Sequence, residues 1–163
     1  ITVTVPEPAA IEQTYAFLRT VLVRGLVEAP TSSAHVVRQI LGSPKGEAMP
    51  TFRALFDYVE RACPEEWEAV REARADFSPA LVINRCTSRA DRETLRGMVD
   101  GVLMRWGVGV TPLGTLDEDE VVQQAARWRR PLLTTYPSSI LSTGIQRIGG
   151  QILSLIDHRG ITK

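Results

Sequence analysis

The chain has 163 residues, 44% of them hydrophobic and 23% charged, with Lys+Arg and Asp+Glu balanced at 19 each. That size buries a continuous core without staples, and the composition excludes a disordered or fibrous chain. The charge balance excludes a net field drawing the whole molecule to nucleic acid or anionic lipid, although a local patch escapes that argument.

Cys63 and Cys86 have no partner at ligand spacing and are too few for a disulfide framework, which points to a reducing, cytoplasmic setting. No apolar run reaches the ~18 residues of a membrane-spanning helix, and no signal peptide opens the chain. Because Ile1 already lies in a strand-like run, we expect a piece of a longer protein.

Ile1 to Val5 alternates β-branched residues and stops at Pro6-Glu7-Pro8, which predicts a strand and a tight, extended turn. From Ala9, the residues Ile11, Tyr15, Leu18, Leu22 and Leu26 recur at helical steps and predict a helix that covers a sheet. Between Glu28 and Pro50, the residues Pro30, Gly42, Pro44 and Gly46 predict a loop with a short helix around Ala34 to Leu41. Phe52, Leu55, Phe56 and Val59 share one helical face, and Pro64-Glu65-Glu66 starts another helix, with proline in its first turn and acids facing the positive end of the dipole. This block is long for a crossover, so residues from about 27 to 78 read as a helical insertion.

Ala80 to Ile83 is a short continuous apolar run, the pattern of a strand buried on both faces, and it ends on Asn84-Arg85. Ser88 followed by Asp91 predicts a capped start for a helix carrying Leu95, Val99, Val102 and Trp106, closed by Gly107 and Gly109. Val110 to Gly114 is the third predicted strand, followed by a loop over Thr115 to Asp119 and a short helix through Trp128. Pro131 to Thr135 is a candidate fourth strand. Leu141, Ile145, Ile148, Ile152 and Leu155 define a last helix from about Ser138 to Asp157, with too little positive charge on its polar face to lie on a membrane surface.

Strands alternating with helices predict an α/β chain, a mostly parallel sheet with helices on both faces in three layers, plus the helical insertion. Such sheets bind ligands outside the carboxyl ends of their strands. That rule selects Pro6-Glu7-Pro8, Asn84-Arg85-Cys86 and Thr115 to Asp119. An Asn side chain matches the N6 donor and N7 acceptor of adenine, although an Asn closing a strand also serves as a turn residue bonded to its own backbone.

The motifs T-V-P-E-P (Thr4 to Pro8), V-I-N-R (Val82 to Arg85), L-G-T-L-D-E-D (Leu113 to Asp119), A-A-R-W-R-R-P-L (Ala125 to Leu132) and Y-P-S-S (Tyr136 to Ser139) occur in this order. Their order and spacing resemble the second half of the MinD/ParA family of deviant-Walker P-loop ATPases, whose members include the FlhG and FleN regulators of flagellar number. The resemblance covers the chain except for about Val27 to Ser78. It implies the carboxyl-terminal part of a P-loop NTPase fold in which Asn84 reads the adenine edge and the Gly114 to Asp119 loop wraps the base. The base-binding set is then Asn84, Arg85, Leu116, Asp117 and Asp119. Asp119 matches the acidic position of the family's G-x-I-P-x-D loop, whereas Asp117 stands where the family commonly has proline.

No G-x-x-x-x-G-K-[ST] occurs in the chain and Gly-Lys is absent as a dipeptide, so no Walker A loop cradles phosphates. Lys45 sits in the insertion in the wrong order. ATP and Mg²⁺ are implied for a parent protein, no catalytic or metal-binding residue is assigned here, and this chain alone is expected not to hydrolyse ATP.

The resemblance further implies an ATP-switched homodimer that recruits a regulatory protein in septum placement, DNA partitioning or flagellar number control. It implies no specific nucleic acid, and any membrane contact would come from residues outside this chain. Two alternatives remain: a pseudo-ATPase interaction module, and an ATP-dependent amidoligase of the cobyrinic acid diamide synthase type. Arg127, Arg129 and Arg130 read as a solvated helix end, His35 and His158 as surface or packing residues, and Trp67, Trp106 and Trp128 as core and rim.

Overall fold

The computed structural model describes residues 1–28 and 51–158. The predicted loop and short helix around residues 34–41, with His35 and Lys45, lie outside the described residues. The chain gathers into two compact units, one made of Ile1–Ile11, Ala80–Gly97 and Pro112–Lys163, the other of Glu12–Pro79 and Met98–Thr111.

The first unit holds a three-stranded sheet of β1 (Thr2–Thr4), β2 (Ala80–Cys86) and β3 (Thr111–Asp117), in that spatial order. β1 runs parallel to β2, with Thr2 opposite Leu81 and Thr4 opposite Ile83. The Thr111 N–H donates to the Pro79 carbonyl at 2.9 Å and the Glu118 N–H to the Cys86 carbonyl at 3.0 Å, so β3 runs in the same direction as β2. The fold class is therefore α/β with a small parallel sheet.

The β2 residues Ala80 to Ile83 are all buried, as a run without alternation requires. Ala80, Val82 and Leu113 form a core with Ile148 of the last helix, α7 (Ile140–His158), and Leu116, Ile152 and Leu155 pack against that core. Burial of each large aliphatic side chain contributes about 1.5–3 kcal/mol. No described helix is long and apolar enough to cross a membrane.

Most of helix α1 (Pro8–Glu28) belongs to the second unit, which also contains α2 (Phe52–Ala62) and α3 (Pro64–Asp76). Thr14, Leu18, Leu22 and Leu26 form the buried stripe of α1. Thr51 caps α2 by accepting the Ala54 N–H at 3.2 Å, and Phe52, Leu55, Phe56 and Val59 are buried as their spacing predicts. Pro64 opens α3, with Glu65 and Glu66 in its first turn.

The Trp106 ring, at the end of α4 (Arg89–Trp106), meets Phe52 edge-on at 5.5 Å and Tyr15 at 6.2 Å. Trp67 and Trp106 are half-buried. Arg74 lies over the Phe56 ring at 4.9 Å and donates to the Gly107 carbonyl, while Gly107, at φ 67, ends α4 in the left-handed conformation that glycine adopts without steric cost.

Four expectations need correction. β3 does not stop at Gly114: it continues through Asp117, so Thr115, Leu116 and Asp117 are strand residues. Gly114 takes φ 126 inside the strand, a conformation that glycine adopts without steric cost, so the strand passes through it instead of ending there. Pro131 to Thr135 is no strand. The Pro131 carbonyl accepts the Thr135 N–H at 3.0 Å, closing the one-turn helix α6 (Leu132–Thr135). On α4, Met98 rather than Val99 is buried beside Leu95 and Val102. Trp128, which follows α5 (Val121–Arg127), is neither core nor rim but 68% exposed.

Candidate functional site

The carboxyl ends of β2 and β3 open into a crevice of about 800 Å³ lined by Asn84 to Thr87, Arg92, Asp117 to Glu120, Val122, Gln123, Ile140 and Leu141. The crevice lies where a parallel sheet is expected to bind its ligand. Four of the sequence-predicted residues, Asn84, Arg85, Asp117 and Asp119, meet there. The fifth, Leu116, does not line it. Its side chain packs on the core, where a Cβ added at Gly144 would stand 2.7 Å from Leu116 Cδ2.

On the β2 side, the half-buried Asn84 accepts the Arg85 N–H on its own Oδ1 at 2.9 Å. Arg85 has φ 61, a left-handed conformation that costs a residue with a Cβ roughly 1–2 kcal/mol. This kink turns Arg85 outward and returns Cys86 to the interior. Burial pushes the Cys86 thiol up from its ordinary range, and the nearby Asp117 and Asp91 carboxylates add to the shift. Near neutral pH it is a protonated, weakly nucleophilic packing group.

The start of α4 forms the predicted capping box. Ser88 Oγ accepts the Asp91 N–H at 3.1 Å, and Asp91 Oδ2 accepts the Ser88 N–H at 2.9 Å together with the Thr87 N–H at 2.7 Å and hydroxyl at 2.9 Å. The bonds from Thr87, reinforced by those from Ser88, hold the Asp91 carboxyl below its usual pKa.

Two ion pairs join this side to the end of β3: Arg92 Nε to Asp117 at 2.9 Å, and Arg85 to Glu118 at 3.1 Å. Both are substantially exposed, so they orient the loop more than they stabilise the fold. Asp119 accepts the Leu141 N–H on Oδ2 and the Val121 N–H on Oδ1, each at 3.1 Å. Its carboxyl is lowered chiefly by the Leu141 bond and then by that of Val121. The residue expected to touch a base thus ties the loop after β3 to the starts of α5 and α7.

The charges lining the crevice are Arg85 and Arg92 against Asp117, Glu118, Asp119 and Glu120, an excess of carboxylates. The first turn of α4 is served by Asp91 and Ser88, while Asp119 serves those of α5 and α7 and Ser139 caps α7 through the Ser142 N–H. The excess of carboxylates disfavours a phosphate and suits a neutral or cationic hydrogen-bonding group, and Val122, Ile140 and Leu141 supply apolar lining. Among the described residues, no group of three or more His, Cys, Asp or Glu could hold a metal ion.

Sequence reasoning passed over Arg92, Gln123, Ile140 and Leu141. The capping box carried a signal for Arg92, because it fixes that residue in the first turn of a helix that starts at a strand's carboxyl end. The fold and crevice define a parallel α/β protein with an open crevice at the carboxyl ends of its strands. No protein-family model, curated protein or solved structure matches the chain.

Proposed function

We propose that the crevice is the adenine-reading edge of a nucleotide-dependent switch of the MinD/ParA type, part of a three-layer P-loop fold whose phosphate and Mg²⁺ groups come from residues outside this chain. The observation that carries the reading is the meeting of Asn84 with Asp117, at the end of β3, and the Glu118 to Asp119 loop at the carboxyl ends of two neighbouring parallel strands. The Arg85 N–H occupies one lone pair of Asn84 Oδ1 and so orients the amide. A second lone pair remains for the adenine N6–H and the NH₂ for N7, the bidentate match of an amide to this base. The surplus of carboxylates fits the reading, because it keeps phosphates away from the base end.

In this proposal, ATP binding drives homodimerisation and recruitment of a regulatory protein, and hydrolysis resets the switch. The pseudo-ATPase alternative has one observation in its favour: Asp117 and Asp119 are both engaged within the protein, leaving the protein contacts of the fold intact without a nucleotide.

The test is equilibrium titration of ATP and GTP against the complete gene product and its Asn84→Ala variant. Loss of the amide should weaken ATP by about 1–3 kcal/mol and narrow the preference over GTP, with circular dichroism unchanged. Unaltered ATP affinity and base preference in the variant would remove Asn84 from the site.

A further inference from the structure

A second surface lies at the other end of α5, and the base-binding reading makes no use of it. Trp128 is 68% exposed, Arg127, Arg129 and Arg130 next to it in the chain are exposed, and Leu133, in the one-turn helix that follows, is 42% exposed. Among the described residues, none of these arginines forms an ion pair. A folded chain gains by covering a tryptophan, and Trp and Arg are the residue types that dominate binding energy in protein interfaces.

The backbone holds the group in one arrangement. The Arg130 N–H donates to the Ala125 carbonyl at 2.9 Å and the Arg129 N–H to Ala126 at 3.1 Å, the paired bonds of a Schellman helix end. Its left-handed position, usually glycine, is occupied by Arg129 at φ 49. An arginine there accepts backbone strain and adds a third cation to the patch.

We propose that Trp128, Leu133 and the three arginines form a docking site for a short acidic segment of a partner protein that carries an aliphatic or aromatic residue. The indole and Leu133 would cover that apolar residue while the guanidinium forks take carboxylates in paired hydrogen bonds. Charge bounds the occupant. α5 has seven residues, so the patch ends about 10 Å along the helix from Asp119 and Glu120. A nucleic-acid backbone or a flat anionic membrane would meet those carboxylates, whereas a segment with a few acids fits the space between.

The experiment is fluorescence anisotropy of a labelled Glu-Glu-Leu-Phe-Glu-Glu peptide against the full chain, with (dT)₂₀ and phosphatidylserine vesicles as competing probes. The peptide should bind, and Trp128→Ala and the combined Arg127→Ala, Arg129→Gly, Arg130→Ala variant should each weaken it at least tenfold. Arg24→Ala, a control at an exposed arginine of α1 paired with Glu28, should leave it unchanged. All of these positions are exposed, so circular dichroism should stay that of the parent chain. The proposal is overturned if the peptide fails to bind, if binding survives Trp128→Ala, if Arg24→Ala weakens it equally, or if the oligonucleotide or vesicles bind more tightly through Trp128.

Discussion

Replacing Arg129 by glycine should make this protein more stable, although the change deletes a long side chain and adds no contact. Arg129 sits at φ 49 in the turn that closes α5. A residue with a Cβ pays roughly 1–2 kcal/mol for that conformation and glycine pays almost none. Glycine also gains freedom in the unfolded chain, which returns about 0.4–1 kcal/mol. The net is a stabilisation of about 0.5–1 kcal/mol, or a rise in Tm of about 1–4 °C for a chain of this size. Differential scanning calorimetry of the parent, Arg129→Gly and Arg129→Ala separates the causes. Alanine removes the charge and keeps the Cβ, so it should leave Tm nearly unchanged. An unchanged or lowered Tm in Arg129→Gly, or an equal rise in Arg129→Ala, would refute the strain argument.

Phe56 is 2% exposed, and Arg74 lies over its ring, so Phe56→Ala should cost about 3–5 kcal/mol, read as a lower urea midpoint. Both Asp91 and Asp119 have carboxyls lowered by hydrogen bonds from neighbouring groups, so the stability they contribute is complete above the ordinary value of 3.8 and lost as pH falls through their lower folded values. Thermal melts from about pH 6 to pH 3 should therefore show a decline that the Asp91→Asn, Asp119→Asn double variant reduces, and an identical slope in the variant would exclude these caps as its source.

Where local chemistry decided the outcome, the sequence was legible. The spacing of Leu18, Leu22 and Leu26 and of Phe52, Leu55, Phe56 and Val59 marks the buried faces of α1 and α2, because the helical period leaves them no other side to share. The Ser88 and Asp91 pair marks the start of α4, because both of its bonds are made within four residues. Legibility failed where an answer depended on distant residues. Leu132, Leu133, Thr134 and Thr135 have a strand's composition, but no strand in the described sheet pairs with them, and the local bonds of α6 prevail. Nothing local showed that β3 would carry Gly114 through at φ 126, or that Trp128 would be left outside.

The crevice shows the same division at the level of single atoms. Residue type and strand-end position brought Asn84, Arg85, Asp117 and Asp119 to one place, but they do not say what each side chain does there. Asp119 spends both carboxylate oxygens on the N–H groups of Val121 and Leu141, and Asp117 one of its oxygens on Arg92. These carboxylates therefore shape the crevice by fixing the loop, and in the base-binding proposal the direct reading of a ligand is left to the Asn84 amide and to backbone groups. An Asp119 substitution should accordingly disturb binding through the position of the loop, whereas Asn84→Ala removes a contact and leaves the loop in place. The two variants thus separate a residue that builds the pocket from one that reads the ligand.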